Sequence, residues 1–309
     1  MDIKKLLITG VSGMLGKSLI YENNRRNYNI YGIYNRNKLL ISNVHTYKID
    51  ITNKDEIFDF IKNLKPDYII HTAAFTDVDL CEKEKDLSYK INVIGTKNII
   101  ESCQKLNSKF VYISTDYVFD GEKGLYDEND KPNPLNYYGY TKLLGEKIVL
   151  DYKNSIVIRT TFYGLNPKGN KGGIENLIIK IKNGNKIYAS YNTFNSIISI
   201  NKISELIYEI VEKNFTGIIH IGIDGKISRY DFLLKLSKFF DLDPNLILKI
   251  DHDSYYQNKP AKRPKDVSLN INKLKSLLNL KTLNIEEDLI YFKNNIYNYY
   301  QYFGGKFEY

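Results

Sequence analysis

The chain has no tryptophan and only two cysteines among its 309 residues, and these scarcities exclude several classes before any motif is considered. Cys81 and Cys103 cannot build a disulfide framework. No Cys/His spacing suggests a metal site, so a reduced, cytoplasmic setting without a metal is expected. Long apolar runs are also missing. No stretch approaches a membrane span, and the apolar run before the first glycine is too short and wrongly flanked for a signal peptide. Nor is there a long run of one charge. The formal net charge is +8, yet lysines and acids intermix in stretches such as "CEKEKD" and "EKGLYDENDKP", which argues against a nucleic-acid surface. That pattern suits a polyanionic small-molecule partner, or equally a compositional bias toward Lys, Asn, Ile and Tyr.

What is present is alternation. Short, nearly continuous apolar runs ("KKLLITG", "YNIYGIYN", "PDYIIHTAA", "KFVYIST", "SIVIRTT") alternate with segments of helical period ("MLGKSLIYENN", "KDEIFDFIKNL", "INVIGTKNIIESCQKL", "TKLLGEKIVLDY"). Strands buried on both faces of a parallel sheet read this way. The expected fold class is α/β, a Rossmann-type doubly wound parallel sheet. After Arg159 the alternation weakens, through a glycine-rich loop "GLNPKGNKGG" and helices at "IENLIIKIKN" and "SRYDFLLKLSKFFD". A smaller, interleaved C-terminal substrate lobe is expected there. The division places residues 1–160 and roughly 190–225 in a dinucleotide-binding domain, and roughly 161–189 and 226–309 in the substrate lobe. The aromatic tail "YFKNNIYNYYQYFGGKFEY" reads as an amphipathic helix docked on that lobe, or as an interface.

The stretch "ITGVSGMLGKSLI" sets Gly10, Gly13 and Gly16 between a predicted strand and a predicted helix. Gly10 permits a tight turn, Gly13 a close approach to a diphosphate, and Gly16 close packing of helix on strand, while the helix N-terminus, opening with Met14 and Leu15, attracts negative charge. Past the second strand, "IYGIYNRNK" offers Arg36 and Lys38 where a carboxylate would meet a ribose 2′-hydroxyl. That tilts the expected cofactor toward NADP(H), with NAD(H) possible. Asp50, followed by Ile51 in "KIDIT", is placed to meet the adenine edge, or to cap the helix beginning near Lys54.

Tyrosine is abundant, 27 residues, so a Tyr and Lys four apart mean little alone. The pairs Tyr34 and Lys38, Tyr255 and Lys259, and Tyr302 and Lys306 share the spacing of Tyr138 and Lys142. Tyr138 and Lys142 differ in opening a helix after "KPNPLN" and following a strand that ends in Ser114, Thr115 and Asp116, at the edge where parallel sheets place reactive groups. A phenol titrates near ~10, and a neighbouring ammonium would lower that value. Tyr138 would then exchange a proton with a ketone oxygen while hydride reaches its carbon. Thr115 would add a second hydrogen bond to that oxygen. Lys142 would tune Tyr138 and bond the nicotinamide ribose.

The glycine pattern, "HTAAFTDVDLCEKE", "INVIGTKNI", "STDYVFDG", "NPLNYYGYTKLLGEK", "SRYDF" and "KPAKRPKDVSLN" resemble, in order and over nearly the whole chain, the dTDP-4-dehydrorhamnose reductases of the extended short-chain dehydrogenase/reductase superfamily. The resemblance implies a catalytic set at Thr115, Tyr138 and Lys142. It also implies cofactor contacts at the strand end "TAAFT", with Ala73, Ala74 and Thr76, and near Asn92. Substrate contacts are expected from Thr76, Asp116, Tyr117 and Arg263, the last toward a diphosphate or else in a surface salt bridge. The implied reaction is reduction of the C4 ketone of a nucleotide-linked 4-keto-6-deoxyhexose, by a homodimer. Related dehydratases carry Asp then Glu after the threonine, whereas here Tyr117 follows Asp116. Two departures fall near the sugar: Thr161 and Phe162 stand where a tryptophan is usual, and Ile197 and Ile198 where a Pro-Thr pair is usual. A regulatory subunit like that of methionine adenosyltransferase, and an epimerase or dehydratase, are the competing readings.

Overall fold

The computed structural model describes residues 3–167 and 172–305. Lys306, the end of the aromatic tail and the middle of the 164–173 loop lie outside the described residues. Seven strands form one parallel sheet: β1 (Lys4–Thr9), β2 (Tyr28–Tyr34), β3 (Val44–Lys48), β4 (Tyr68–His71), β5 (Lys109–Ile113), β6 (Ser155–Thr160) and a seventh, Gly217–Ile221. Their order is β3-β2-β1-β4-β5-β6-seventh. The direction of winding reverses between β1 and β4, and a crevice opens at such a switch beyond the strand ends.

Successive side chains of a strand face opposite sides, so β1 sends Leu6 and Ile8 into one core and Leu7 into the other. The second core is closed by α2 (Lys54–Leu64), α5 (Thr96–Leu106) and α6 (Tyr137–Leu150). The first is closed by α1 (Met14–Glu22), the helix Ile200–Glu212 and the tail helix Ile285–Tyr302. The segment "INVIGTKNIIESCQKL" is not one regular helix: Lys90–Gly95 is π-helical and passes into α5. Two short helices, α3 (Val78–Lys83) and α4 (Lys85–Tyr89), precede it.

Beyond β6 the chain makes three two-stranded pairings: Phe162–Tyr163 with Ile198–Ser199, Ile187–Ser190 with Ile247–Ile250, and Phe194–Asn195 with Ile227–Ser228. Phe162, Tyr163, Phe194 and Asn195 of these pairings border one cavity with Ile113 and Thr160 at the strand ends of the large sheet. The tail helix packs on the helix Arg229–Phe239 of the expected lobe, with Lys293 over the Phe239 ring and Glu286 paired with Lys235, and also on the first core of the sheet. Its apolar stripe, Leu289, Phe292, Ile296 and Tyr299, joins the core that also holds Leu6 and Ile8, and Tyr299 meets Tyr21 of α1 edge-on, with ring centroids 5.4 Å apart. Asp288 anchors it, accepting from Ser199 N (2.8 Å), Ser199 Oγ (2.6 Å) and the Tyr163 hydroxyl (2.9 Å). No helix among the described residues is long and apolar enough to cross a membrane.

Candidate active site

The glycine turn is built by contact. Gly10 has φ +67°, and a Cβ there would lie 2.8 Å from the Ala73 backbone, so Ala73 forms the floor of the turn. At Gly16 a Cβ would lie 2.6 Å from Gly10 O and 2.8 Å from Val11 Cα. Gly16 therefore admits its own turn, where packing of helix on strand was expected. Gly13 ends the turn and precedes α1, which has no side-chain cap and no acid in its first turn. Uncapped N–H groups at the positive end of a helix suit an anion, so the residues present fit a cofactor diphosphate. Gly13, Met14 and Leu15 line a cavity of about 570 Å³, which Ala74 and Thr76 border from beyond β4.

Other expected cofactor residues sit differently. Arg36 and Lys38 are exposed beyond β2. Asp50 does not cap α2. Its Oδ1 accepts from Thr52 N and Oγ1 (both 2.9 Å), whereas Asn53 caps the helix through Glu56 N. An Asx turn keeps the carboxylate local, and Asn53 is the residue three positions before the free N–H. Ile51 is buried in the second core, against the bare face of Gly95. Asn92, 1% exposed, has its amide engaged within the protein. Its Oδ1 accepts from Phe75 N (2.8 Å), and its Nδ2 donates to Phe75 O and Thr141 Oγ1 (both 3.0 Å). It braces the loop after β4 and offers no free side-chain atom to a cofactor.

Thr115 and Asp116 leave β5 into a short turn, and Tyr138 and Lys142 enter from the first turns of α6. Asn136 caps α6, its Oδ1 accepting from Gly139 N (2.9 Å). All four side chains line the same cavity as Gly13. Thr115 Oγ1 accepts from Tyr117 N (3.2 Å) and donates to Asp116 Oδ1 (3.1 Å). Burial pushes the Tyr138 phenol well above its usual value, and the neighbouring Thr115 hydroxyl partly offsets this. A phenol lowered by Lys142 was expected, and this is a correction. The Lys142 ammonium lies over the Tyr112 ring, 3.9 Å from the centroid, and burial dominates the Tyr138 phenol.

Burial pulls Lys142 down to about 7, opposed by the nearby Glu146. Glu146 is itself locked: it accepts from Ser114 Oγ and from Arg159 through Nε (3.0 Å) and Nη2 (2.8 Å), with both charged residues no more than 2% exposed. Burial pushes Asp116 up to about 7, and its Oδ2 is enclosed without a partner among the described residues. Tyr117 meets Tyr138 edge-on at 6.3 Å.

Arg263 departs from both expectations. Its Nη1 donates to Asp79 Oδ1 and to Ala261 O (both 2.7 Å), and its side chain is only 10% exposed. It is a largely buried tie between α3 and the 261–264 segment, and it does not line the main cavity. Tyr137 and Tyr140 also lie outside the lining, and Cys81 and Cys103 are buried. Residues the sequence reading passed over complete the far wall: Thr160, Thr193, Asn195, Arg229 and Tyr256 join Thr161, Phe162 and Ile197. They come from separated segments without a shared local pattern. The one available signal was Arg229, a charged residue inside the quoted "SRYDF", directly after a helix-capping serine.

Comparisons with known proteins agree with this geometry. The family model described as RmlD substrate binding domain matches residues 4–297. A dTDP-4-dehydrorhamnose reductase of Aggregatibacter actinomycetemcomitans is 30% identical over 299 residues, covering 90% of this chain and 94% of the relative. The methionine adenosyltransferase 2 subunit beta of Rattus norvegicus is 27% identical over 283 residues, with 89% and 82% covered. Among solved structures, the dTDP-4-dehydrorhamnose reductase of Bacillus anthracis in complex with NADP superposes with a TM-score of 0.83 at 30% identity, over 94% of this chain and 99% of that one. The seven-stranded parallel sheet, the glycine cradle at its switch point and a match spanning nearly every residue together make this chain a member of the RmlD substrate-binding-domain family.

Proposed function

We propose that the protein is an NAD(P)H-dependent oxidoreductase that reduces the C4 ketone of a nucleotide-linked 4-keto-6-deoxyhexose, supplying a precursor for polysaccharide or glycan synthesis. One observation carries this reading. Thr115 and Tyr138, two hydroxyl groups from different elements, share a cavity with Lys142 and the glycine cradle. The cofactor supplies the hydride when bound. Tyr138 gives its phenolic proton to the ketone oxygen, and Thr115 holds that oxygen as it gains charge. Burial keeps the Tyr138 phenol protonated at neutral pH, the form that reduction requires. Lys142, pulled to about 7 by burial, provides an ammonium that a bound anionic cofactor would stabilise, and a hydrogen bond to the nicotinamide ribose. Asp116 Oδ2 awaits a partner on the substrate side, beside Tyr117 and Thr76.

Gly10, Gly13, Gly16 and the first turn of α1 hold the diphosphate, and Arg36 favours a 2′-phosphate, hence NADP(H) over NAD(H). Residues 1–160 with roughly 190–225 bind the cofactor, and roughly 161–189 with 226–309 enclose the sugar. A cytoplasmic homodimer completes the reading. The relationship to the methionine adenosyltransferase subunit supports a non-catalytic alternative, but the intact Thr115, Tyr138 and Lys142 favour turnover. Tyr117 in place of glutamate disfavours dehydration.

The test is NADPH consumption with dTDP-4-keto-6-deoxy-L-mannose generated in situ. Tyr138→Phe should lower kcat about 10²- to 10⁴-fold with NADPH affinity retained. A native protein that binds NADPH, reduces no nucleotide-linked 4-keto sugar and copurifies with another enzyme would overturn the proposal.

A further inference from the structure

A nucleotide sugar brings a diphosphate into the cavity, and a diphosphate needs cations. Two arginines, Arg229 in the lining and Arg263 just outside it, carry charge that reaches Tyr117. Arg263 is already neutralised, its Nη1 shared between Asp79 and Ala261 O at 2.7 Å. Arg229 is not. It is the first residue of the helix Arg229–Phe239 and lines the cavity. Its backbone N–H is pinned to Thr193 O (3.0 Å), a residue of the same lining. Its guanidinium carbon lies 5.6 Å from the Tyr255 ring centroid, and its Nε is enclosed without a hydrogen-bond partner among the described residues. The acid nearest in sequence, Asp231, is turned away: its Oδ2 accepts from Ser228 Oγ (2.6 Å).

An enclosed guanidinium N–H lacking an acceptor is costly and needs an explanation. The surroundings supply one. Tyr117 and Tyr256 both feel the charges of Arg263 and Arg229, of which only Arg229 lines the cavity, and Tyr117 also packs edge-on against Tyr138. The wall therefore runs from the proton donor Tyr138 through Tyr117 to Arg229, with Tyr256 beside them. Aromatic and hydroxyl groups lie near Tyr138, and the Arg229 guanidinium, stacked by Tyr255, adds a cation to the same cavity. Arginine's planar fork matches a phosphate bidentately.

We propose that Arg229 binds the diphosphate of the nucleoside-diphosphate sugar, a role that rests on the ketoreductase reading. The occupant is the phosphate group itself, so the contact discriminates nucleoside diphosphates from nucleosides and free sugars rather than one base from another.

The experiment measures binding of dTDP, UDP and thymidine to the NADPH-loaded protein by calorimetry, alongside KM and kcat for the 4-keto sugar. Arg229→Gln is expected to weaken dTDP and UDP about 10- to 100-fold, the range of a charged hydrogen bond, and to raise KM with kcat largely kept. Arg229→Lys should recover part of the loss, and thymidine should bind all variants alike. NADPH affinity, unchanged in Arg229→Gln, guards against misfolding. If dTDP binds Arg229→Gln as it binds the native protein, the assignment is overturned while the reductase reading stands. If the native protein binds dTDP, Arg229→Gln does not, and no ketone is reduced, the assignment stands and the reductase reading falls. A native protein that distinguishes neither dTDP nor UDP from thymidine also overturns the assignment.

Discussion

Glu146→Gln tests the reasoning where structure and chemistry meet. The carboxylate is 1% exposed and accepts from Arg159 through both Nε and Nη2, while Arg159 is 2% exposed and its Nη1 already lacks a partner. Removing the negative charge strands a buried guanidinium, which costs about 3–5 kcal/mol. Unfolding entropy of about 2.1 cal/mol/K per residue makes 1 kcal/mol worth about 1.5 °C in a chain of 309 residues. The Tm should fall by about 5–8 °C. Replacing both partners, as Glu146→Met with Arg159→Met, should recover most of that, since an apolar pair strands no charge.

The same substitution reaches the site. Glu146 holds up the proton affinity of Lys142 against burial. Without it Lys142 loses its proton at lower pH, so the alkaline limb of the kcat profile should move down in pH. The stability linkage has a definite sign. Lys142 is depressed to about 7 in the folded state, so the folded protein binds fewer protons than the unfolded chain between about 7 and the ordinary lysine value. Its contribution is therefore present above that window and is lost as pH falls through about 7. Differential scanning calorimetry and a pH–rate series measure both effects. A Tm within 1 °C of native, or a double variant no better than the single, would refute the buried-pair argument.

Gly16→Ala should lower stability by about 1–3 kcal/mol and weaken NADPH binding, because the new methyl meets the Gly10 carbonyl oxygen at 2.6 Å and backbone cannot step aside; thermal melts and cofactor fluorescence titration measure it. Arg36→Ala with Lys38→Ala should raise the KM for NADPH about tenfold, the scale of one charge-assisted contact, while leaving NADH nearly unchanged. Equal effects on the two cofactors in steady-state kinetics would remove the 2′-phosphate assignment.

The order of apolar runs and the glycine spacing were enough to anticipate a doubly wound sheet, because parallel strands and crossover helices leave local periodic signatures. The capped start of the helix that carries Tyr138 and Lys142 was local too, whereas the seat of the Lys142 ammonium over Tyr112 was not. Asp50 and Asn53 show where local reading falters: both are capping residue types three positions apart, and only the Asx turn at Asp50 leaves the cap to Asn53. At Ile51 and Asn92 the side chains are held within the protein, Ile51 in the second core and Asn92 on Phe75 and Thr141, which packing decided. A resemblance marks such positions without saying whether the side chain faces a ligand or the core.

Residue order alone was sufficient for the doubly wound sheet and for the glycine turn between β1 and α1, since each leaves a local pattern of apolar runs and glycine spacing. The direction of the Tyr138 titration, the neutralisation of Arg263 by Asp79 and the isolation of Arg229 required the folded chain. Charge and burial depend on groups far apart in sequence, such as Asp79 and Arg263, and their sign is settled only when packing decides which carboxylate reaches which guanidinium.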